Sequence, residues 1–232
     1  YDAAAAALLT KRAARGKRAE LAGAIQEADP KAPRLHGGIA HRLLAAMVTL
    51  GMRLRRDRFM NVMLALAAAQ KDAAGYVIAC FGDPGLHALR DQTALPVVGI
   101  QEAAVMTALT LGQRFGVIAI LPPSIPRHLR AFGAMGVLDR LAGDRALGLG
   151  VAALGNADQS LDAMIATGRR LRDQDGADVL IMGCAGMADY RAPLQDATGL
   201  PVVEPCQAAV SMARGQISLG LSHKPRKPDH AG

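Results

Sequence analysis

Tryptophan is absent, and aromatic residues of every kind make up 3% of the 232 residues. That scarcity leaves too few rings for a base-stacking nucleic-acid surface. Cysteine is scarce as well. The three present are odd in number, and none stands at Cys-x-x-Cys or other close metal-ligand spacing. A disulfide-stapled or zinc-stapled mini-protein is thereby excluded, and reduced thiols are expected. No uninterrupted apolar stretch reaches the roughly 18 residues of a membrane helix. The start lacks the charged, apolar, small-residue order of a signal peptide, so the expected compartment is the cytoplasm and no membrane partner is expected. What is present is a 51% hydrophobic chain with 25 glycines, long enough for one large domain or two small lobes.

The net charge of +7 is local. Residues 1–60 hold twelve Lys and Arg against five acids, and residues 61–232 hold fifteen of each. The basic segment is rich in Ala and Arg, as in Arg53-Leu-Arg-Arg-Asp-Arg58, with weak helical periodicity at Leu43, Leu44, Met47, Leu50 and Leu54 and no convincing buried strand. A solvated helical face is preferred to a nucleic-acid arm, so nucleic acid is a disfavoured partner.

From Gly75 the rhythm becomes a short apolar run, a Gly-rich turn and a helix-length segment, repeated, which is the pattern of parallel βαβ units. Strands are predicted at Tyr76–Ala79, Val97–Ile100, Phe115–Ile120, Val179–Met182 and Val202–Val203. Helices are predicted at Pro84–Gln92, Glu102–Leu111, Ile125–Met135, Ser160–Asp173, Tyr190–Thr198 and Gln207–Gly220, the first of them capped by Asp83.

An internal repeat organises these elements. Val77-Ile-Ala-Cys80-Phe-Gly82 and Ile181-Met-Gly-Cys184-Ala-Gly186 each read as strand, cysteine, one residue, glycine, 104 residues apart. Leu95-Pro-Val-Val-Gly-Ile-Gln-Glu-Ala-Ala-Val105 matches Leu200-Pro-Val-Val-Glu-Pro-Cys-Gln-Ala-Ala-Val210 at an offset of 105. Two matched blocks at nearly one offset imply an α/β fold of two pseudo-symmetric Rossmann-like lobes with parallel sheets and an active site in the cleft between them. The expected division is a basic segment at 1–60, a first lobe at 61–112 with 205–221, a second at 113–204, and a frayed tail at 222–232.

Paired thiols at strand ends suit proton removal from one face of a carbon and delivery to the other. Cys80 and Cys184 are the expected catalytic pair. Helix starts close behind them are expected to lower the thiol pKa values. Gly82 and Gly186 are expected to present backbone N–H groups to a substrate oxygen as enolate-like charge grows there. Such chemistry needs no metal or organic cofactor. Cys206, aligned with Gln101, reads as a packing residue or a spectator in the cleft.

Cys80-Phe-Gly-Asp-Pro-Gly85, Pro96-Val-Val-Gly-Ile-x-Glu102-Ala and Gly183-Cys-Ala-Gly-Met187 resemble the Asp/Glu/hydantoin racemase superfamily, in its hydantoin and allantoin racemase branch. The likeness runs over about residues 61–221. It implies a two-lobed α/β fold and cofactor-independent racemisation by Cys80 and Cys184. Amino-acid racemases of the superfamily usually carry Asn-Thr after the first cysteine and Thr after the second. Here Phe81-Gly82 and Ala185-Gly186 stand instead, which favours a 5-substituted hydantoin-like cyclic ureide as the small-molecule substrate. The family's usual opening strand and Asn-x-Asn-Thr/Ser turn has no match in residues 1–60, as if that segment were substituted, for example by an altered reading frame.

Ser124 in Pro122-Pro-Ser-Ile-Pro126 is expected to cap a helix, with a substrate carbonyl as its alternative partner. Glu102 is expected beside the cleft, oriented toward a substrate N–H. His87 reads as a surface residue. Other activities of the superfamily stay open: aspartate, glutamate or allantoin racemisation, maleate isomerisation and arylmalonate-type decarboxylation. So does a non-catalytic binding protein that uses the basic N-terminal segment. A homo-oligomer is compatible with the sequence.

Overall fold

In the computed structural model the described residues are 8–10, 64, 67, 73–148 and 157–224. The chain divides into two compact units, Tyr1–Ala79 with Asp83–Val98 and Val210–Gly232, and Cys80–Gly82 with Gly99–Ala209.

The first unit holds a three-stranded sheet in the order β1-β2-β3, with β1 at Leu8–Thr10, β2 at Ala73–Ile78 and β3 at Val97–Gly99. Strand β1 runs antiparallel to β2, with Leu8 opposite Tyr76. The basic segment therefore does supply a strand, and this sheet is not wholly parallel as expected. Three residues are too few for period-two alternation to show in a sequence. The rest of 1–60 lies outside the described residues. Tyr76, Ile78 and Val97 pack with Leu86 and Leu89 of helix α1, Leu86–Gln92. Helix α1 starts two residues later than predicted, with Gly85 rather than Asp83 at its N-cap position. Gly82 (φ 115), Asp83 (φ 45) and Gly85 (φ 78) all take left-handed conformations, which no helix can include. His223, in the segment expected to fray, accepts the Val97 N–H at Nε2 (3.0 Å) and donates its own N–H to Ala94 O. Residues 225–232 lie outside the described residues.

The second unit is built on a parallel four-stranded sheet in the order β5-β4-β6-β7. Its strands are β4 (Phe115–Ala119), β5 (Leu141–Ala146), β6 (Val179–Met182) and β7 (Val202–Val203). Its helices are α2 (Ile100–Leu109), α3 (Ile125–Ala134), α4 (Ala157–Asp173), α5 (Arg191–Thr198) and α6 (Pro205–Ser218), the last running on into the other unit. The central strands Phe-Gly-Val-Ile-Ala and Val-Leu-Ile-Met are buried along their whole length, because helices cover both faces.

Side-chain alternation splits the core accordingly. Phe115, Val117, Val179 and Ile181 pack with Val105 and Ala108 of α2 and Phe132 of α3. Ile118, Leu180 and Met182 pack on the other face with Met164 and Leu171 of α4 and Leu194 of α5. This packing ties α2 to the sheet, so residues 99–112 group with the residues that follow them. Strand β5 was not predicted. Its sequence Leu-Ala-Gly-Asp-Arg-Ala is half-buried throughout, the composition of an edge strand whose pairing is decided by β4.

Candidate active site

Each of the two key cysteines stands two residues beyond the last residue of a strand, Cys80 after Ile78 and Cys184 after Met182. Both copies of the repeated Cys-x-Gly thus follow closely on a strand. The backbone before Cys184 is pinned by close approach. Gly183 donates its N–H to Ile118 O (2.9 Å), and a Cβ on Gly183 would lie 2.7 Å from that same oxygen. Only glycine lets β6 run this close to β4 and then release the chain into the cysteine turn.

Cys80 and Cys184 are both half-buried, Cys206 is buried, and none of the three forms a disulfide. Cys184 takes extended backbone angles and opens a 3-10 turn, Ala185–Tyr190. The Gly186 N–H donates to its Sγ at 3.4 Å. That donor is therefore committed to the sulfur in this structure, and not to an incoming oxygen as expected. Ala185 is buried and Gly186 exposed. The expected lowering of the Cys184 pKa is overturned. Burial pushes it up, the Gly186 N–H offsets part of that rise, and the charge of Glu204 adds to it. A 3-10 turn supplies one short-range donor here, where a full helix N-terminus was expected.

On the Cys80 side, Phe81 is half-buried and packs against the Phe115–Ile181 core. Gly82 is exposed, and its φ of 115 is open to glycine and strained for other residues. Ser124 ends a 3-10 turn ahead of α3 and does not cap that helix. Its hydroxyl donates to Leu121 O at 2.6 Å, since the turn brings that carbonyl closer than the helix N–H groups. Glu102 lies in the first turn of α2, half-buried. His87 is exposed.

Two groups escaped the sequence reading. Glu204, 2% exposed, stands where the other half has Gly99. Its two carboxylate oxygens accept the N–H groups of Cys206 (3.0 Å) and Gln207 (2.6 Å), capping α6. Burial raises its pKa despite those two bonds and the Arg191 charge. Its mismatch with Gly99 inside an otherwise matched block was the available signal. The second group is a buried pair, His128 Nδ1 to Asp144 Oδ2 at 2.8 Å, joining α3 to β5. No motif marks it, because the partners lie on different elements 16 residues apart.

Cys206 Sγ shares the Glu204 environment, and burial together with that carboxylate raises its pKa strongly. It stays a thiol at neutral pH, in line with a packing role. Among the described residues no group of three His, Cys, Asp or Glu side chains is arranged to hold a metal ion. Nor is any helix among them long and apolar enough to cross a membrane.

A testable consequence follows for Glu204→Gln. The amide nitrogen cannot accept an N–H, so losing one buried bond is expected to cost about 1–2 kcal/mol, or roughly 2–8 °C in Tm. Only the thiolate is alkylated, so the Cys184 alkylation rate rises with pH. Wild-type protein should reach its midpoint above the ordinary thiol range, and removing the Glu204 charge should move the midpoint to lower pH. A midpoint that stays put in a folded variant would show that the two groups do not interact.

The α/β sheets and a cysteine just past each of two strands fit a racemase-type isomerase, and the family match shows that class. Residues 19–213 match the Asp/Glu/Hydantoin racemase family, and the chain belongs to it. The match starts well before residue 61, where the likeness was expected to begin. The chain is 38% identical over 171 residues to a hydantoin racemase of Rhizobium meliloti, covering 72% of this chain and 71% of that one. It is 37% identical over 147 residues to a hydantoin racemase of Paenarthrobacter aurescens, covering 62% of each. Its fold is similar to that of allantoin racemase from Pseudomonas fluorescens, with a TM-score of 0.66 and 24% identity over 92% of this chain and 95% of that chain.

Proposed function

We propose that the chain is a cofactor-independent racemase of a 5-substituted hydantoin-like ring, working by proton transfer between two cysteines. The observation that carries this reading is the equivalent placement of Cys80 and Cys184 two residues past the ends of their strands. One thiolate takes the C5 proton, and the C–H electron pair becomes the enolate of the adjacent ring carbonyl. The other cysteine's S–H then protonates C5 from the opposite face. No electrons are gained or lost, and the enzyme ends with the proton on the other sulfur. Cys80 is the base for one enantiomer while Cys184 supplies the proton, and the roles exchange for the other.

Phe81 and Ala185 flank the sulfurs, and Gly82 keeps its N–H near the growing charge. With its proton on Leu121 O, Ser124 has oxygen lone pairs left to accept a ureide N–H, and Glu102 accepts another. The two relatives described as hydantoin racemases support the substrate class. Allantoin, itself a 5-substituted hydantoin, is the second reading, favoured by the fold likeness to an allantoin racemase.

Purified protein incubated in D2O with enantiopure 5-benzylhydantoin or allantoin tests this. The optical rotation should decay while deuterium enters C5, and EDTA should leave the rate unchanged. Rotation that persists with every ring offered would defeat the proposal.

A further inference from the structure

The buried pair of His128 and Asp144 has no part in the proton transfer, yet it is built at a cost. Both side chains are 2% exposed. Asp144 Oδ1 is buried with no hydrogen-bond partner among the described residues. A core at this position has no need of charge, since apolar residues of similar size fill such space as well or better. What the pair touches suggests its use. The His128 ring meets the Phe81 ring edge-on, with centroids 5.0 Å apart and planes at 76°. Phe132 lies beyond His128 at 6.2 Å, and Phe115 makes an edge contact with Phe132. Two of the four phenylalanines of an aromatic-poor chain thus meet this one histidine, and a third packs behind Phe132.

Phe81 also follows Cys80 directly and precedes Gly82 and Asp83, both with positive φ. A turn with such angles is held in shape by its surroundings rather than by a ladder of hydrogen bonds. Phe81 is the side chain of residues 80–82 that enters the core. We infer that His128, fixed in orientation by Asp144, is a positioning residue that sets the Phe81 ring and through it the placement of the Cys80 thiol. Asp144 belongs to β5, paired in register with β4, so the thiol turn is referenced to the parallel sheet.

This inference deepens the two-cysteine reading and rests on it, but its test is separable. Replacing the pair by apolar residues, His128→Leu with Asp144→Val, removes the polar link while keeping the space filled. Iodoacetamide labelling, read peptide by peptide by mass spectrometry, compares Cys80 with Cys184 in the same molecule. The Cys80-to-Cys184 labelling ratio is expected to rise at least fivefold at near-wild-type Tm. The kcat for racemisation should fall about tenfold or more, with KM changed less than threefold. A merely structural role would lower Tm and move both thiols together.

Asp144→Asn, nearly isosteric, should shift the ratio in the same direction by a smaller factor, and it decides the matter if the double variant does not fold. A ratio within twofold of wild type in the folded variants would overturn the inference. The labelling ratio is read without substrate, so a wild-type protein that racemises no hydantoin would sink the activity reading while leaving the positioning question answered by the ratio alone.

Discussion

Cys80→Ser and Cys184→Ser are each expected to lower kcat for racemisation by about 10²–10⁴, the range contributed by a positioned general acid or base. Serine nearly keeps the volume, but its hydroxyl is a far weaker acid than a thiol, so at neutral pH it stays protonated, supplying neither the base nor a ready proton donor. The fold should persist, because both cysteines lie past the ends of their strands and not within the ladders. The diagnostic measurement is the pair of rates, racemisation by circular dichroism and deuterium entry at C5 by NMR. With Cys80 lost, the enantiomer whose C5–H faces Cys184 should still exchange its proton with solvent without inverting, and the converse should hold for Cys184. A serine variant that interconverts enantiomers at the wild-type rate removes the mechanism. Cys206→Ser should leave both rates within a fewfold of wild type, since that thiol is buried and strongly protonated.

Gly183→Ala is expected to be the most damaging single methyl in the second unit. The added Cβ would stand 2.7 Å from Ile118 O and 3.2 Å from Ala119 Cα, both of them backbone atoms that cannot swing aside. Overpacking of this kind costs about 1–3 kcal/mol, or roughly 2–12 °C in Tm for a chain of this size. Relief requires β6 to move away from β4, and the cysteine one residue on moves with it. A displacement of about 1 Å is enough to cost on the order of 10²-fold in rate. Loss of rate should therefore exceed what the loss of stability explains, even at temperatures where the variant is fully folded. An alanine variant with wild-type Tm and kcat would show that the approach between these strands is not limiting.

Much of this was legible from the chain. The apolar runs Phe115-Gly-Val-Ile-Ala119 and Val179-Leu-Ile-Met182 are read as buried parallel strands because both faces must be apolar, and they are. The repeated Cys-x-Gly carried the family likeness. Edge strands and caps were harder. Leu141–Ala146 and Leu8–Thr10 have no pattern of their own, since one is polar and the other short, and their pairing comes from a neighbour. Asp83 before Pro84 looks like a helix start, yet the left-handed residues around it delay the helix to Leu86. Ser124 looks like a cap, yet its hydroxyl turns back to Leu121.

Covalent sequence alone determined which residue types recur after the strands, and so the pair of thiols and the chemistry a pair can perform. It could not determine their proton affinities, because those depend on solvent exclusion and on charges brought near by folding. Cys184, expected to be acidified, is made less acidic by burial and by Glu204 on the adjacent strand's exit. Nor could it reveal the link from Asp144 through His128 to Phe81, which exists only once a helix, an edge strand and the cysteine turn are packed within hydrogen-bond and ring-contact distance of one another. Periodicity and motif are properties of neighbours along the chain, whereas dielectric, pairing and orientation belong to neighbours in space.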